Sequence, residues 1–495
     1  HRSTRAVSFR MALLSDVHFD PGFRDNPGQC NHMADVLLLR AVQRINRFLK
    51  PDVVLVLGDL VRDGEAPGAL MALEALKDCL ANLDAPVIAI PGNHDPDGFY
   101  NIFKCPPPIV EFNGVRLIPF VDADEPGFNA RRLAEDMGRF AEARADFDGP
   151  IIALQHVPVF PPGAADCPYN HSNADEIIAA MQQYGVGLAI SGHFHDGMPL
   201  MHTEHAAFFA AGALCEPPYA FYEIVLDGHQ LSSIAHSLSM PEALQLADTH
   251  VHSEFAYCGE NVAVAPDIEL AALLGLSGLR ITEHTGQLYF DKETFWEARF
   301  MPDGLDTICG RAMRVDEYFT LAHSAQRLSN MDIDVRFGFE VDSDFTGRPV
   351  LREQDRKRAA FLNGALHWLP ELRKPEPDIE RAGDEFLGIM QRFVPSGIDV
   401  LAHPFRVFSR AKVAPPTAIF DPLVRMLREH GVAAEINFHV QEPQAAFVRR
   451  CLDARVKLTL GSDAHNLYEV GELWPHLRLL ETCGFDGDLR DILLV

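Results

Sequence analysis

The chain has 495 residues, with 70 Asp and Glu against 43 Lys and Arg, a formal net charge of −27. That length suggests two or three domains, and 47% hydrophobic residues are enough for a core in each. The acidic balance disfavours a protein that grips nucleic acid or an anionic membrane through a basic footprint, and no apolar run approaches the ~20 residues of a membrane span.

The 9 Cys are scattered without CxxC pairs and read as reduced thiols, the pattern of a cytoplasmic protein. The start, HRSTRAVSFR, is basic, but no apolar run of a signal peptide follows it.

Met11–Leu14 is a short apolar run followed directly by Ser15-Asp16-Val17-His18. From Ala34 to Leu49 the apolar residues Leu38, Val42, Ile45 and Leu49 recur at helical spacing, and Pro51 stops them. Val53–Leu57 is a continuous apolar strand ending in Gly58-Asp59, so strand, helix and strand predict a βαβ unit. A helix over 69–83 leads to the strand Val87–Ile90 and the turn Pro91-Gly92-Asn93-His94-Asp95. Ile151–Leu154 runs into Gln155-His156, and Leu188–Ile190 into Ser191-Gly192-His193-Phe194-His195. In α/β architecture ligand sites lie beyond the carboxyl ends of strands, so these endings can converge on one rim.

The candidate donors of the first half are Asp16, His18, Asp59, Asn93, His156, His193 and His195. This mixture of oxygen and imidazole without thiolate suits Mn, Fe, Zn or Co rather than a structural zinc site. It exceeds the needs of one cation and fits two, bridged by one carboxylate, the arrangement that activates water and clamps a phosphoryl group. Asp95 reads as a support for the turn, and His171, His202 and His205 as packing or surface residues. The strings DVH, GD, GNHD, QH and GHFH, in this order, resemble the calcineurin-like metallophosphoesterase family over roughly the first 235 residues. The resemblance implies a two-sheet α/β sandwich with a dinuclear site. In it Asp16, His18, Asp59 and His195 hold one metal, and Asp59, Asn93, His156 and His193 the other. His94 is then the catalytic imidazole over the substrate phosphate.

Tyr222–Leu226 is expected to be an edge strand, Asp227-Gly228 a turn and Leu231–His236 the return strand. These give domain boundaries of 1–238, a linker at 239–246 and a second domain at 247–495. The second domain opens on Asp248-Thr249-His250-Val251-His252-Ser253, whose two His at i and i+2 face one side of an extended segment. Six further apolar runs lead into Glu283-His284, Glu340, His367, His403-Pro404, Ile436-Asn437 and Gly461-Ser462-Asp463-Ala464-His465. About seven strands alternating with helical stretches predict a parallel barrel with ligands on its C-terminal rim.

The strings HVH, TEH, FGFE, GALH, AHP and GSDAH resemble the PHP (polymerase and histidinol phosphatase) family, of histidinol-phosphatase-like type, over about 246–480. That resemblance implies a distorted (β/α)7 barrel with up to three metals. His250, His252, Glu340 and Asp463 would hold the first; Glu340, His367 and His403 the second; His284 and His465 the third. Many relatives of this type carry a His a few residues after HxH, where this chain has Cys258. Cys258 either ligates as a thiolate or leaves the third position weak. Glu283 stands beside His284 as an outer-shell residue, Arg406 is a candidate phosphate clamp, and His323 and His439 read as structural. The expected function is a bifunctional metal-dependent phosphoesterase on small phosphate esters. It has two ions (Mn, Fe or Zn) in the first domain and two to three in the second, acting in sequence from diester to monoester to phosphate. The alternatives are one catalytic domain beside a regulatory metal-bound module, or a metal-dependent nuclease.

Overall fold

The structure is a computed structural model, and it describes residues 8–24, 28–228, 230–307, 313–328 and 333–494. The basic start at 1–7 lies outside the described residues. The chain divides into two compact units, His1–Ser239 and Met240–Val495.

The first unit holds two sheets. One runs in the order Gln230–Ser237, Ala220–Asp227, Ser8–Leu14, Val53–Val56 and Val87–Ala89. The other runs Met198–His202, Ala207–Ala210, Val186–Ser191, Ile151–Leu154, Val115–Pro119 and Val110–Phe112. Strand side chains alternate between faces, so one set from each sheet faces inward. Met11, Leu13, Val53, Leu55 and Ile88 meet Leu117, Ile152, Leu154, Leu188 and Ile190 in one core. The opposite face of the second sheet packs Ile118, Ile151 and Ala153 with Phe140, Ile177 and Met181 of helices Ala134–Arg144 and Ala174–Tyr184. The first unit is thus a two-sheet α/β sandwich.

Several elements differ from their sequence reading. Ala220–Asp227 is not an edge strand: it pairs antiparallel with Ser8–Leu14 on one side and with Gln230–Ser237 on the other, and the return strand forms the edge. The strands Val110–Phe112 and Val115–Pro119 have no counterpart in the sequence reading, although Asn113-Gly114 between them is a strong hairpin signal.

In the second unit seven parallel strands follow chain order: Ala247–Val251, Gly278–His284, Asp334–Asp342, Leu362–Ala365, Val400–Leu401, Ala433–Asn437 and Leu458–Gly461. Asp463 N donates to His250 O at 2.7 Å, Val251 bridges Ala464, and Thr249 Oγ1 donates to Leu460 O, so the last strand returns to the first. This is a (β/α)7 barrel. The longer helices Ile379–Phe393 and Phe420–His430 bury one stripe each. In Ile379–Phe393 the buried residues Ala382, Phe386, Ile389, Met390 and Phe393 recur every three or four positions. Before the first strand, Met240 N donates to Leu274 O and Ser277 N to Leu246 O, tying 240–246 into this unit. No helix among the described residues is long and apolar enough to cross a membrane.

Candidate metal centres

The sandwich brings the endings of its strands together. Gly58 and Gly92 make this possible: a Cβ on Gly58 would stand 2.5 Å from Gly92 N, and one on Gly92 2.2 Å from Asp59 Oδ1. Asp16, His18, Asp59 and His193 all have positive φ, between 47° and 66°. Such left-handed backbone in residues with a Cβ costs on the order of 1–3 kcal/mol each and collects at functional sites. Here it turns side chains off the strand ends toward a common point.

Two triads result. Asp16 Oδ1 lies 3.7 Å from His18 Nε2 and 3.5 Å from His195 Nε2. Asp59 Oδ2 lies 3.2 Å from His156 Nε2 and 3.6 Å from His18 Nε2, between the two groups. His193 Nδ1 is 3.2 Å from His156 Nε2, and Asn93 Oδ1 is also 3.2 Å from it. Asp16, His18 and His195 offer donor atoms within 4.8 Å of one another, as do Asp59, His156 and His193.

Proton placement tests whether cations fit. His156 Nδ1 faces Leu57 O at 2.7 Å, His195 Nδ1 faces Glu216 Oε1 at 2.6 Å, and His193 Nε2 faces Phe128 O at 3.0 Å. Each outward nitrogen therefore carries the proton, and neutral rings turn lone pairs inward. Those lone pairs meet carboxylate and amide oxygens, and buried Asp16 Oδ1 has no hydrogen-bond partner. Either extra protons or cations must supply the missing positive charge. Burial opposes ionisation of Asp59, but His156 and His18 hold its carboxyl at about 2. Burial likewise opposes charging of His156 and His195, yet the carboxylates push them up to about 10 and about 9. Burial and the charge on His156 bring His193 down to about 4. An anionic pocket that draws protons onto its imidazoles is one that divalent cations fit.

His94 stands at the rim. Its N–H donates to Asp59 Oδ1 at 2.8 Å, its Nδ1 faces Arg62 O at 2.8 Å, and its ring meets His18 edge-on at 4.9 Å. Asp95 supports the turn: Oδ1 accepts from Leu60 N and Val61 N, Oδ2 from Gly92 N. Cavities of about 800 and 320 Å³ flank Asn93, the larger reaching His94 and Arg62 and the smaller reaching His156 and Tyr100.

Behind His156 lies a buried network. Arg132 donates to both oxygens of Asp122 at 2.9 Å, and to Gln155 Oε1 at 3.2 Å. His171 Nε2 meets Asp122 Oδ2 at 2.9 Å and its Nδ1 meets Pro158 O. His171 is thus a packing residue with both nitrogens engaged, while His202 and His205 are exposed. Burial works against the Asp122 charge, but Arg132 and His171 hold the carboxyl well below its usual 3.8. A depressed carboxyl stabilises the fold above its unfolded pKa and loses that contribution as pH falls. Asp122→Asn, which strands buried Arg132, is therefore expected to cost about 3–5 kcal/mol at pH 7. In denaturant titrations the gap to the parent should narrow below about pH 4; a gap unchanged at low pH contradicts the pairing.

In the barrel one carboxylate occupies the centre. Glu340 is fully buried. Its Oε1 lies 2.7 Å from His403 Nε2 and 3.1 Å from His367 Nε2. Its Oε2 lies 2.6 Å from His284 Nδ1 and 3.6 Å from both His250 Nε2 and His252 Nε2. Asp463 Oδ1 is 3.0 Å from His252 Nε2 and 3.6 Å from His250 Nε2. Glu340 Oε2, His250 Nε2 and His284 Nδ1 form no hydrogen bond despite this crowding. Atoms that converge without hydrogen-bond geometry suit a shared cation. Burial opposes ionisation of both carboxyls, but the imidazoles around Glu340, and His250 and Arg406 around Asp463, keep them well below their usual range. His403 and Asp463 again have positive φ, 32° and 54°.

The outer partners are carboxylates. His250 Nδ1 bonds Glu435 at 2.8 Å, His252 Nδ1 bonds Glu283 at 3.2 Å, and His367 Nδ1 bonds Asp342 at 2.8 Å. Such partners fix the ring tautomer. Glu216, Asp342 and Glu435 escape the sequence reading. Asp342 two residues after Glu340, and Glu435 two before Asn437, carried a period-two signal, whereas Glu216 sits in a loop and carried none. Arg406 is buried, with Nη2 2.5 Å from Asp463 Oδ2 and 3.0 Å from Asn437 Oδ1, so its guanidinium orients Asp463. His439 stacks on His465, ring centroids 4.5 Å apart, and bonds Glu469 at 2.8 Å. Cys258 Sγ lies 3.0 Å from His465 Nε2 and 3.5 Å from His284 Nε2. Burial pushes its thiol up to about 12.

Residues 9–197 match the model of the calcineurin-like phosphoesterase family, so the first unit carries a domain of that family. A probable cyclic nucleotide phosphodiesterase from Synechococcus sp. is 33% identical over 159 residues, 29% of this chain and 58% of the relative. A cAMP/cGMP dual specificity phosphodiesterase from Mycobacterium tuberculosis is 29% identical over 197 residues, 37% of this chain and 60% of the relative. The chain thus spans less than two thirds of the length of these relatives. A solved structure of a putative histidinol phosphatase from Listeria monocytogenes aligns with a TM-score of 0.37 at 16% identity, over 46% of this chain and 99% of that one.

Proposed function

We propose that the chain is a bifunctional, metal-dependent phosphoesterase acting on small-molecule phosphate esters. The first unit would hydrolyse a diester of cyclic-nucleotide type, and the second, a PHP-type barrel, would release phosphate from the resulting monoester. The observation that carries this reading is the pair of separate buried clusters, each built on one carboxylate, Asp59 or Glu340, whose oxygens face imidazoles of two groups.

In the first unit Asp16, His18, Asp59 and His195 would hold one divalent cation, and Asp59, Asn93, His156 and His193 the second. In the second unit His250, His252, Glu340 and Asp463 would hold one, and Glu340, His367 and His403 another. When bound, such cations polarise the phosphoryl group and make water a nucleophile at neutral pH.

The protein's own part is orientation and proton delivery. His94 commits its Nδ1 proton to Arg62 O and its backbone N–H to Asp59. Its Nε2 is therefore the nitrogen that meets substrate, and in the imidazolium form, with a proton on each nitrogen, it is placed to give the Nε2 proton to the departing alkoxide and return to the neutral ring. Removal of a positioned acid costs typically 10²–10⁴-fold. The formal net charge of −27 disfavours nucleic acid as the substrate.

Activity on bis(p-nitrophenyl) phosphate and on p-nitrophenyl phosphate should separate between two variants. His94→Ala is expected to lower diester turnover by ~10²-fold or more and leave the monoester rate in place; His403→Ala is expected to do the reverse. Loss of both activities in either single variant would defeat the two-site reading. Rapid cleavage of single-stranded oligonucleotides at low salt would favour a nuclease instead.

A further inference from the structure

Beside His193 in the first unit lies a short hairpin, Ala123–Glu125 paired antiparallel with Asn129–Arg131. An isolated two-stranded hairpin is marginal at best in water, and here neighbours hold it. Ala130 N donates to Asn170 O at 3.3 Å, Ser172 N to Ala130 O at 2.8 Å and Asn170 N to Asn129 Oδ1 at 3.0 Å. One registered pair, Asp124 and Ala130, lines the cavity of about 320 Å³ that reaches Asn93 and His156. The hairpin is therefore one wall of the site.

Its tip carries Phe128. The Phe128 carbonyl accepts from His193 Nε2 at 3.0 Å, and the residue has a φ of 61°. That left-handed backbone suits glycine and is an outlier for a bulky residue. A glycine would offer His193 the same carbonyl without the strain, so this hydrogen bond does not account for the ring. Burial in a core does not account for it either, because Phe128 is 63% exposed. The ring instead meets Tyr169 edge-on with centroids 6.3 Å apart, and Tyr169 meets the His193 ring at 4.7 Å. Asn129 and Asn170, which follow the two aromatic residues in the chain, are bonded to one another. The pair is thus held in place before substrate arrives, which lowers the ordering cost of binding.

We propose that Phe128 and Tyr169 form a stacking platform beside the first unit's metal cluster that selects phosphodiesters carrying a nucleobase. An exposed aromatic ring offers a face to a planar group, and every base has such a face. The platform therefore favours bases as a class without telling one from another. The proposal rests on the reading that this unit hydrolyses a diester of cyclic-nucleotide type, and it names the part of that substrate which the chain grips.

The test uses two esters that differ only in the base: adenosine 3′,5′-cyclic phosphate, and the cyclic phosphate of methyl riboside, which carries a methoxy group in its place. Loss of each diester is followed with the metal-loaded full-length chain. The parent is expected to show a KM for the base-bearing ester lower by about tenfold or more. Phe128→Gly fits the left-handed backbone and keeps the carbonyl that His193 uses. It is expected to bring the ratio of the two KM values toward one, and Phe128→Trp should retain the ratio. A merely structural role for the ring would move both KM values together and leave their ratio. A parent ratio near one, or a ratio that survives in Phe128→Gly, overturns the platform and leaves the diesterase reading standing. Turnover of neither ester by the metal-loaded parent overturns both.

Discussion

Asp59→Asn is expected to lower diester hydrolysis by roughly 10³-fold, about 4 kcal/mol in activation free energy, while monoester hydrolysis by the barrel continues. Asp59 Oδ2 stands between His18 of one triad and His156 of the other, and Oδ1 receives the His94 N–H. One substitution therefore touches both candidate cation positions and the loop that carries the catalytic imidazole. An amide keeps the size of the carboxylate but removes the charge that two imidazoles hold ionised down to about 2. Metal analysis should show cation content falling with the rate. Retention of more than about a tenth of the rate with full metal content would mean that Asp59 does not join the two positions.

Glu340→Gln is expected to have the matching effect on the barrel, a loss of roughly 10³-fold in monoester hydrolysis with diester turnover intact. Five imidazole nitrogens lie between 2.6 and 3.6 Å of its two oxygens. Burial opposes charging of His250 and His367, yet the surrounding carboxylates raise His250 well above its usual 6.5 and His367 to about 9. A neutral Gln removes the centre of that charge balance, so chelation and reloading should recover less metal than in the parent. Unimpaired monoester hydrolysis in this variant would move the chemistry away from Glu340.

Much of the candidate site was legible because strands announce themselves as apolar runs, and each run here stops at a polar residue. Val53–Leu57 followed by Asp59, and Val335–Phe339 followed by Glu340, need no tertiary information to be noticed. The outer partners were less legible. Glu216 reaches His195 from a loop, and His439 reaches His465 across 25 residues of intervening chain, so neither spacing nor periodicity marks them. Arg406 was visible as a cation near the site, but its engagement with Asp463 and Asn437 is a matter of side-chain path. The interior position of Ala220–Asp227 was equally hidden, because whether a strand has one neighbour or two depends on partners far away in sequence.

By itself, the sequence determined the α/β class, the apolar runs that become the site-bearing strands and the identity of the residues at their ends, since these follow from local hydrophobic pattern and residue chemistry. Only the tertiary structure decided which endings meet, which nitrogen of each imidazole faces inward and which buried oxygens lack a proton donor. Those properties depend on long-range pairing and on backbone such as the left-handed turns at Asp16, Asp59, His193, His403 and Asp463. The surrounding fold must hold that backbone against its local preference.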